Sequence, residues 1–365
     1  MRPAKSKLEE EKIARKAPAI SYVYLAVKRG FFYIFKWLGL FRAARFMTRR
    51  GLRIICYHGF SLYDECEFHK RTFISAETFS KRMEYIRKKG FSVLGLDEAV
   101  DLLYSGGLGD ESVVITIDDG FYSMYKIAYP VLEKFDFPAT VYITSYYAQK
   151  ENPIFNLALQ YMFWKTDERI LDLEGLGLPR SDSVIMSNET EKSLALRQII
   201  HFGDAECSEE ERIALLKRIA ERLGVDYKSL AERRIMNVMT LDEIKELAER
   251  GIDMELHSHR HYFPRNEEKA KREIVDNRAV LEPLLDRKLL HFCYPNGIYH
   301  EEQFPWLAEM NIKSATTCKR GFNYPDTSPF ALGRFGDDEG LSQIEFEAEI
   351  CGFTEALRSF RRLFR

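Results

Sequence analysis

The chain has 365 residues, 45% of them hydrophobic and 30% charged, with a formal net charge of -2. That is ordinary globular usage, long enough to bury a core without a disulfide scaffold, and the overall charge gives no reason to expect a nucleic-acid partner. Six scattered cysteines (Cys56, Cys66, Cys207, Cys293, Cys318 and Cys351) include no CxxC pair, which excludes a zinc ribbon or a thioredoxin-like motif and predicts buried thiols in a reducing compartment.

Residues 1–16 are polar and charged, and are expected to be frayed or a free helix. Residues 18–50 interleave aromatic and aliphatic residues (Tyr22, Phe31, Phe32, Phe35, Trp37, Phe41 and Phe46 among them) with Lys28, Arg29, Lys36, Arg42, Arg45, Arg49 and Arg50, and contain no acid. This predicts one or two basic amphipathic helices. They suit either a membrane interface or a helical arm packed on the following domain with its basic face in water. The apolar run Ala17 to Val27 is too short to span a bilayer. Lys28 and Arg29 follow it without a small-residue cleavage site, so a signal peptide is not predicted. The expected location is the cytoplasm, peripheral on the inner membrane through residues 18–50, with export as the alternative.

From Leu52 the pattern alternates. Leu52 to Tyr57 is a short apolar strand ending at His58-Gly59. A helix is predicted from Ser75 to Lys89, stopped by Gly90. A strand at Phe91–Leu94, a helix at Leu96–Leu103 and the β-branched strand Ser112–Ile117 follow. A further helix runs through Leu132 and Lys134, and Phe137–Ile143 is again a strand. Residues 150–235 break the rhythm with charged helical sequence and no catalytic motif, which reads as an insertion shaping a substrate cleft. Alternation resumes with a capping box at Thr240 to Glu243. After it come the strand Ile252–Leu256, a helix around Lys269–Leu284, the strand Leu289–Tyr294, and Ile312–Thr316 closing the run. Strands alternating with helices predict βα units on parallel strands. The expected organisation is an arm over 1–50, a catalytic domain over 51–350 with the insertion inside it, and a basic tail over 351–365.

Two constellations carry chemistry. Thr116-Ile117-Asp118-Asp119-Gly120 puts two carboxylates where a strand ends, the place at which sites assemble in parallel α/β folds. Glu255-Leu256-His257-Ser258-His259-Arg260-His261 follows another strand and holds three of the eight histidines of the chain. Imidazoles at His-x3-His spacing suit zinc, and a catalytic zinc takes three protein ligands and leaves one position for water. Asp119, His257 and His261 supply that set. Asp118 remains beside it, free to take a proton from the bound water. His259 and Arg260, inside the loop, are expected to brace it through hydrogen bonds.

With these two motifs in this order, the sequence resembles the polysaccharide deacetylases of the NodB-homology type, also called carbohydrate esterase family 4. Their motifs Thr-Phe-Asp-Asp-Gly and His-(Ser/Thr)-x-x-His stand here at Thr116–Gly120 and His257–His261, and the resemblance covers roughly 52–350. It implies an α/β fold, a distorted (β/α)7 barrel, and removal of N-acetyl groups from a glycan. It also implies a divalent cation, most simply Zn2+, held by Asp119, His257 and His261, with Asp118 as base. Where the family often has Arg-Pro-Pro-Tyr-Gly, this chain reads Cys293-Tyr294-Pro295-Asn296-Gly297. The arginine that orients the base is therefore missing there, and Arg334 is the expected substitute. The Asn296 N–H matches the position that helps hold an oxyanion. No histidine follows His300, so the general acid is expected at His58, as in the circularly permuted, poly-N-acetylglucosamine deacetylase-like subgroup with an early Tyr-His. The alternatives are an amide hydrolase of the same fold on a non-carbohydrate substrate, and a glycan-binding module impaired in catalysis by the loss at Cys293.

Overall fold

The structure is a computed structural model that describes residues 25–179 and 182–363. The frayed segment expected over residues 1–16 lies outside the described residues, as does the start of the 18–50 segment. All pairings of the main sheet are parallel, among strands β1 (Arg53–Tyr57), β2 (Ser92–Val93), β3 (Ser112–Ile117), β4 (Thr140–Ile143), β5 (Asp253–Leu256), β6 (His291–Cys293), β7 (Ser314–Thr316) and β8 (Phe335–Gly336). The spatial order is β7-β6-β5-β4-β3-β1-β8, and β2 pairs with the start of β3. This is the α/β half-barrel of parallel strands expected of a NodB-type fold. The run does not close at Thr316. Leu332 bridges Thr316, and three residues on Phe335 pairs with Ile55, so the segment 332–337 joins the two sheet edges. A two-residue strand has no period to read, which is why the sequence hides it.

Local chemistry sets the element ends. Helix α3 (Ala76–Lys89), beyond the arm helices α1 (25–37) and α2 (Leu40–Met47) and a single helical turn at Glu65–Phe68, begins where the Ser75 hydroxyl accepts from the Thr78 N–H. It ends on Gly90 at φ 72°, a left-handed stop that glycine adopts without cost. Helix α4 spans Leu96–Ser105 and α5 spans Tyr129–Phe135, the latter entered through a π-helical stretch at Met124–Ala128.

The pleat then sorts side chains into two populations. Val113, Ile115 and Ile117 of β3, with Ile55 and Tyr57 of β1, pack against surrounding helices through residues such as Met83, Ile86 and Leu132. The alternate residues Ile54, Val114, Tyr142 and Cys293 form a separate cluster with Leu96, Ala99 and Leu103 of α4. Continued to the strand ends, this second parity carries Cys56 and His58 from Ile54, and Thr116 and Asp118 from Val114.

The insertion is helical, with α6 (Phe155–Lys165), α7 (Glu189–Glu206) and α8 (Glu209–Arg222) around a core of its own that includes Phe121 and Phe73 of the barrel. Its exit is stitched to the Asp118–Phe121 turn, since Met239 N–H donates to the Gly120 carbonyl and Tyr122 N–H to that of Asn237. Helix α9 (Leu241–Glu249) begins at the capping box formed by Thr240 and Glu243, and α10 (Glu267–Leu285) leads to β6. The chain ends in α11 (Gln343–Ile350) and α12 (Phe353–Leu363). Where a basic tail was expected over 351–365, residues Phe353–Leu363 form a helix, and α12 packs through Phe353 on Phe32 and Phe41 of the arm.

Candidate active site

The two motifs meet at the C-terminal ends of β3 and β5. After Ile117 the chain turns through Asp119 at φ 69° and Gly120 at φ 76°. At φ 76° Gly120 is in the left-handed region that favours glycine, and a Cβ there would also press on the Ile143 side chain at 2.8 Å. The turn swings Asp119 to the same side as Asp118. The histidine loop is likewise built on left-handed residues, Ser258 at φ 62° and His261 at φ 56°, and the Ser258 hydroxyl accepts from the Tyr262 N–H.

Asp119 Oδ1 stands 3.2 Å from His257 Nε2 and 3.2 Å from His261 Nε2. Ligands about 2.0–2.1 Å from a tetrahedral zinc are separated by roughly 3.3 Å, so both Asp119 contacts have the spacing of ligands around one ion, and all three atoms lie within 4.8 Å of one another. His257 Nδ1 lies 2.8 Å from the Cys293 carbonyl, which can only accept. Nδ1 therefore carries a proton, and Nε2, the nitrogen that faces Asp119, is the one left to bind a metal. Burial by itself would raise the Asp119 carboxyl, yet hydrogen bonds and charge from His257 and His261 hold it well below the carboxylate range. A carboxylate oxygen and two imidazole nitrogens grouped this closely form a donor set that fits a divalent metal.

Asp118 is buried in a cage of donors. Arg334 Nη1 and Nη2 donate to its two oxygens at 2.7 Å each, a bidentate pair. Arg334 is fixed in turn through Nε to the Thr317 carbonyl at 3.0 Å and Nη1 to Thr116 Oγ1 at 3.1 Å. The thiols of Cys56 and Cys293 approach Asp118 Oδ2 at 3.5 and 3.4 Å, and burial pushes both thiols up, which keeps their protons in place. Burial would raise Asp118 as well, but Arg334, aided by His58 and His257, outweighs it and keeps the carboxyl ionised. His58 Nε2 lies 3.8 Å from Asp118 Oδ2, with about a third of its side chain open to solvent.

Each residue singled out in the sequence has a definite place. Asp118, Asp119, His257, His261, His58 and Arg334 come together. Asn296 is exposed at the tip of the Pro295–Gly297 turn with φ 57°, on the loop that follows β6. His259 and Arg260 brace the loop. His259 Nδ1 pairs with Ser145 Oγ at 2.9 Å, and Arg260 with Glu273 and Asp276. The contacts of Cys56 with Asp118, and of Asn277 Oδ1 with the His257 N–H at 3.1 Å, were not anticipated. The first could have been found from strand parity, since Cys56 shares a face with His58. The second crosses from α10 and has no local signature.

A parallel half-barrel with a carboxylate–bis-imidazole cluster beside an arginine-held aspartate defines a class of α/β hydrolytic site. A family model described as polysaccharide deacetylase matches residues 105–171 and 224–315, omitting the middle of the insertion. The matched residues make up a polysaccharide deacetylase domain, the domain of hydrolases of the amide bond in N-acetylated carbohydrates. YxkH of Bacillus subtilis (strain 168), a protein assigned to the polysaccharide deacetylases, is 20% identical over 302 residues, 82% of this chain and 76% of its own. Among solved structures, the Streptococcus pyogenes deacetylase PplD in complex with acetate superimposes with a TM-score of 0.55 at 16% identity, covering 83% of this chain and 99% of that one. IcaB from Ammonifex degensii gives 0.53 at 18% identity, over 83% and 97%. At these identities the two structures speak for the fold.

Proposed function

We propose that this protein removes N-acetyl groups from a glycan by a metal-dependent route in which Asp118 is the base and His58 the acid. The observation that carries the reading is the Asp119 oxygen set 3.2 Å from both histidine Nε2 atoms, next to a carboxylate held by Arg334. Asp119, His257 and His261 would hold the cation, for which Zn2+ suits the one-oxygen, two-nitrogen donor set. When bound, such an ion polarises a carbonyl and acidifies water.

The remaining work falls to this chain. Asp118, kept ionised by Arg334, accepts the proton of the attacking water. The bidentate arginine fixes the direction in which the carboxylate presents its lone pairs. The Asn296 N–H is assigned to the developing oxyanion. His58, 3.8 Å from Asp118 and partly open to solvent, delivers a proton to the departing amide nitrogen, so that acetate and a free amine result. Arg334 holds Asp118 and reaches Cys293, so it can stand in for the arginine absent there, which supports a catalytic reading over an impaired binding module. The early position of His58 agrees with a permuted order of motifs.

Leaving-group chemistry tests the assignment. An amide nitrogen must be protonated to leave, whereas an activated aryl acetate needs no such help. His58→Ala should lower acetate release from N-acetylglucosamine oligomers by roughly 10²–10⁴-fold and leave hydrolysis of the aryl ester nearly intact. Equal losses on both substrates would remove His58 from the role of acid.

A further inference from the structure

The arm is apolar on both of its sides. Its inner face, Phe32, Phe41 and Ala44, packs on Ile344, Ala348 and Phe353 of α11 and α12. Most of its acidic neighbours are half-buried or buried: Lys28 and Arg29 reach Glu345, Lys36 reaches Glu347, and Arg45 reaches Glu111, while Arg49 pairs with the exposed Asp110. The outer face should then be polar, yet Phe31, Ile34, Trp37, Leu38, Phe46 and Met47 all point into solvent, with Trp37 85% and Met47 75% exposed. Arg42 and Arg50 are exposed within the same stretch. No Asp or Glu occurs between Glu11 and Asp64, so the arm adds no carboxylate to this face.

A surface of aromatic residues and arginines to which the arm itself brings no acid, with Asp110 neutralised by Arg49 at its edge, matches the boundary of an anionic bilayer, where rings enter the headgroup layer and guanidinium groups meet phosphates. No described helix is long and apolar enough to cross a membrane, so the contact is interfacial. The place of the arm fixes the orientation. Arg45 and the Arg49 carbonyl hold Glu111, the residue before β3, while Arg53, at the start of β1, donates to the Thr48 and Gly51 carbonyls. The arm therefore covers the N-terminal ends of the strands, and the metal-ligand cluster lies at the opposite ends. A six-residue strand spans about 20 Å and a helix adds about 10 Å.

We infer that the outer face of residues 25–50 docks this protein on an anionic bilayer with its catalytic cleft turned away, roughly 30 Å from the lipid. Resting on the proposed activity, this makes the substrate a glycan segment standing clear of the membrane and not a sugar seated at the headgroups.

The test uses the full-length protein and vesicles of phosphatidylcholine with or without 30% (about) phosphatidylglycerol. Flotation with the anionic vesicles is expected, weakening with salt and falling at least roughly tenfold in Trp37→Glu and in Arg42→Glu/Arg50→Glu. Brominated lipid should quench tryptophan fluorescence in the parent and not in Trp37→Phe, and acetate release from soluble oligomers should be unchanged by vesicle binding. Absence of flotation, or flotation indifferent to these substitutions, would overturn the docking. Self-association lost in the same variants would make the occupant a second copy instead. Flotation that blocks turnover would overturn the orientation. Vesicle binding is read without activity, so a protein that binds and releases no acetate counts against the proposed reaction alone.

Discussion

Asp118 has no water-like surroundings to keep it charged, and its ionisation depends on Arg334. The pair is buried on both sides, with side chains 1% and 3% exposed. Asp118→Asn should lower turnover by at least about 10³-fold while metal content, measured on the same preparation, stays near that of the parent. Loss of the metal as well would mean that the two aspartates do not divide the work as argued. Arg334→Met leaves a buried carboxylate without its partner, and urea denaturation should register a loss of about 3–5 kcal/mol. The double variant Arg334→Met/Asp118→Asn should regain part of it, because the stranded charge is gone. Full additivity of the two single effects would deny the coupling. At this scale the sequence was most legible where residues sit close together in the chain: both ligand motifs lie at strand ends and could be read from a handful of letters. The link from Asp118 to Arg334 spans 216 positions, and no periodicity or spacing carries such a contact. The absence of an arginine at Cys293 pointed to a substitute without locating its geometry.

The elements most exposed to solution conditions are the arm helices. Burial would raise the Glu345 carboxyl, but hydrogen bonds from Lys28 and Ser342 outweigh it and hold it at about 2, below its ordinary 4.5. An acid whose folded value lies below its unfolded one stabilises the folded contact above the unfolded value and loses that contribution as pH falls through the folded one. The docking of α1 on α11 should therefore weaken between pH 4.5 and about 2. Amide exchange of residues 25–37 should rise across that window while β3 stays protected, and Glu345→Gln should flatten the response. Exchange in the arm that is insensitive to pH in the parent would show that Lys28 and Glu345 do not hold it. The arm's helices were predictable from composition, and so were the two candidate uses of their faces. That the inner face is apolar as well, and that residues 353–363 form the helix it packs on, depends on pairing two segments some 300 positions apart. The strand at Phe335–Gly336 was illegible for a different reason, its length.

At the scale of the molecule, the half-barrel brings residues from β1, β3, β5 and the 332–337 crossing to one end, and the arm closes the other. The alternation of strands and helices from Leu52 to Thr316 made the parallel α/β class readable without coordinates, because β1, β3 and β4 carry β-branched runs and helix signals separate the strands. The insertion was recognised only as an interruption. Its position against the Asp118–Phe121 turn comes from tertiary packing of Phe121 and Phe73 into its core. The whole arrangement converges on one claim, that Asp119, His257 and His261 hold a catalytic cation for deacetylation. The most direct measurement is metal content together with acetate release from N-acetylglucosamine oligomers, on the parent and on His257→Ala. Close to one equivalent of metal with acetate release, both lost in His257→Ala, is the predicted result. A parent protein that binds no metal even after reconstitution, or a His257→Ala variant that keeps both metal and turnover, would contradict it.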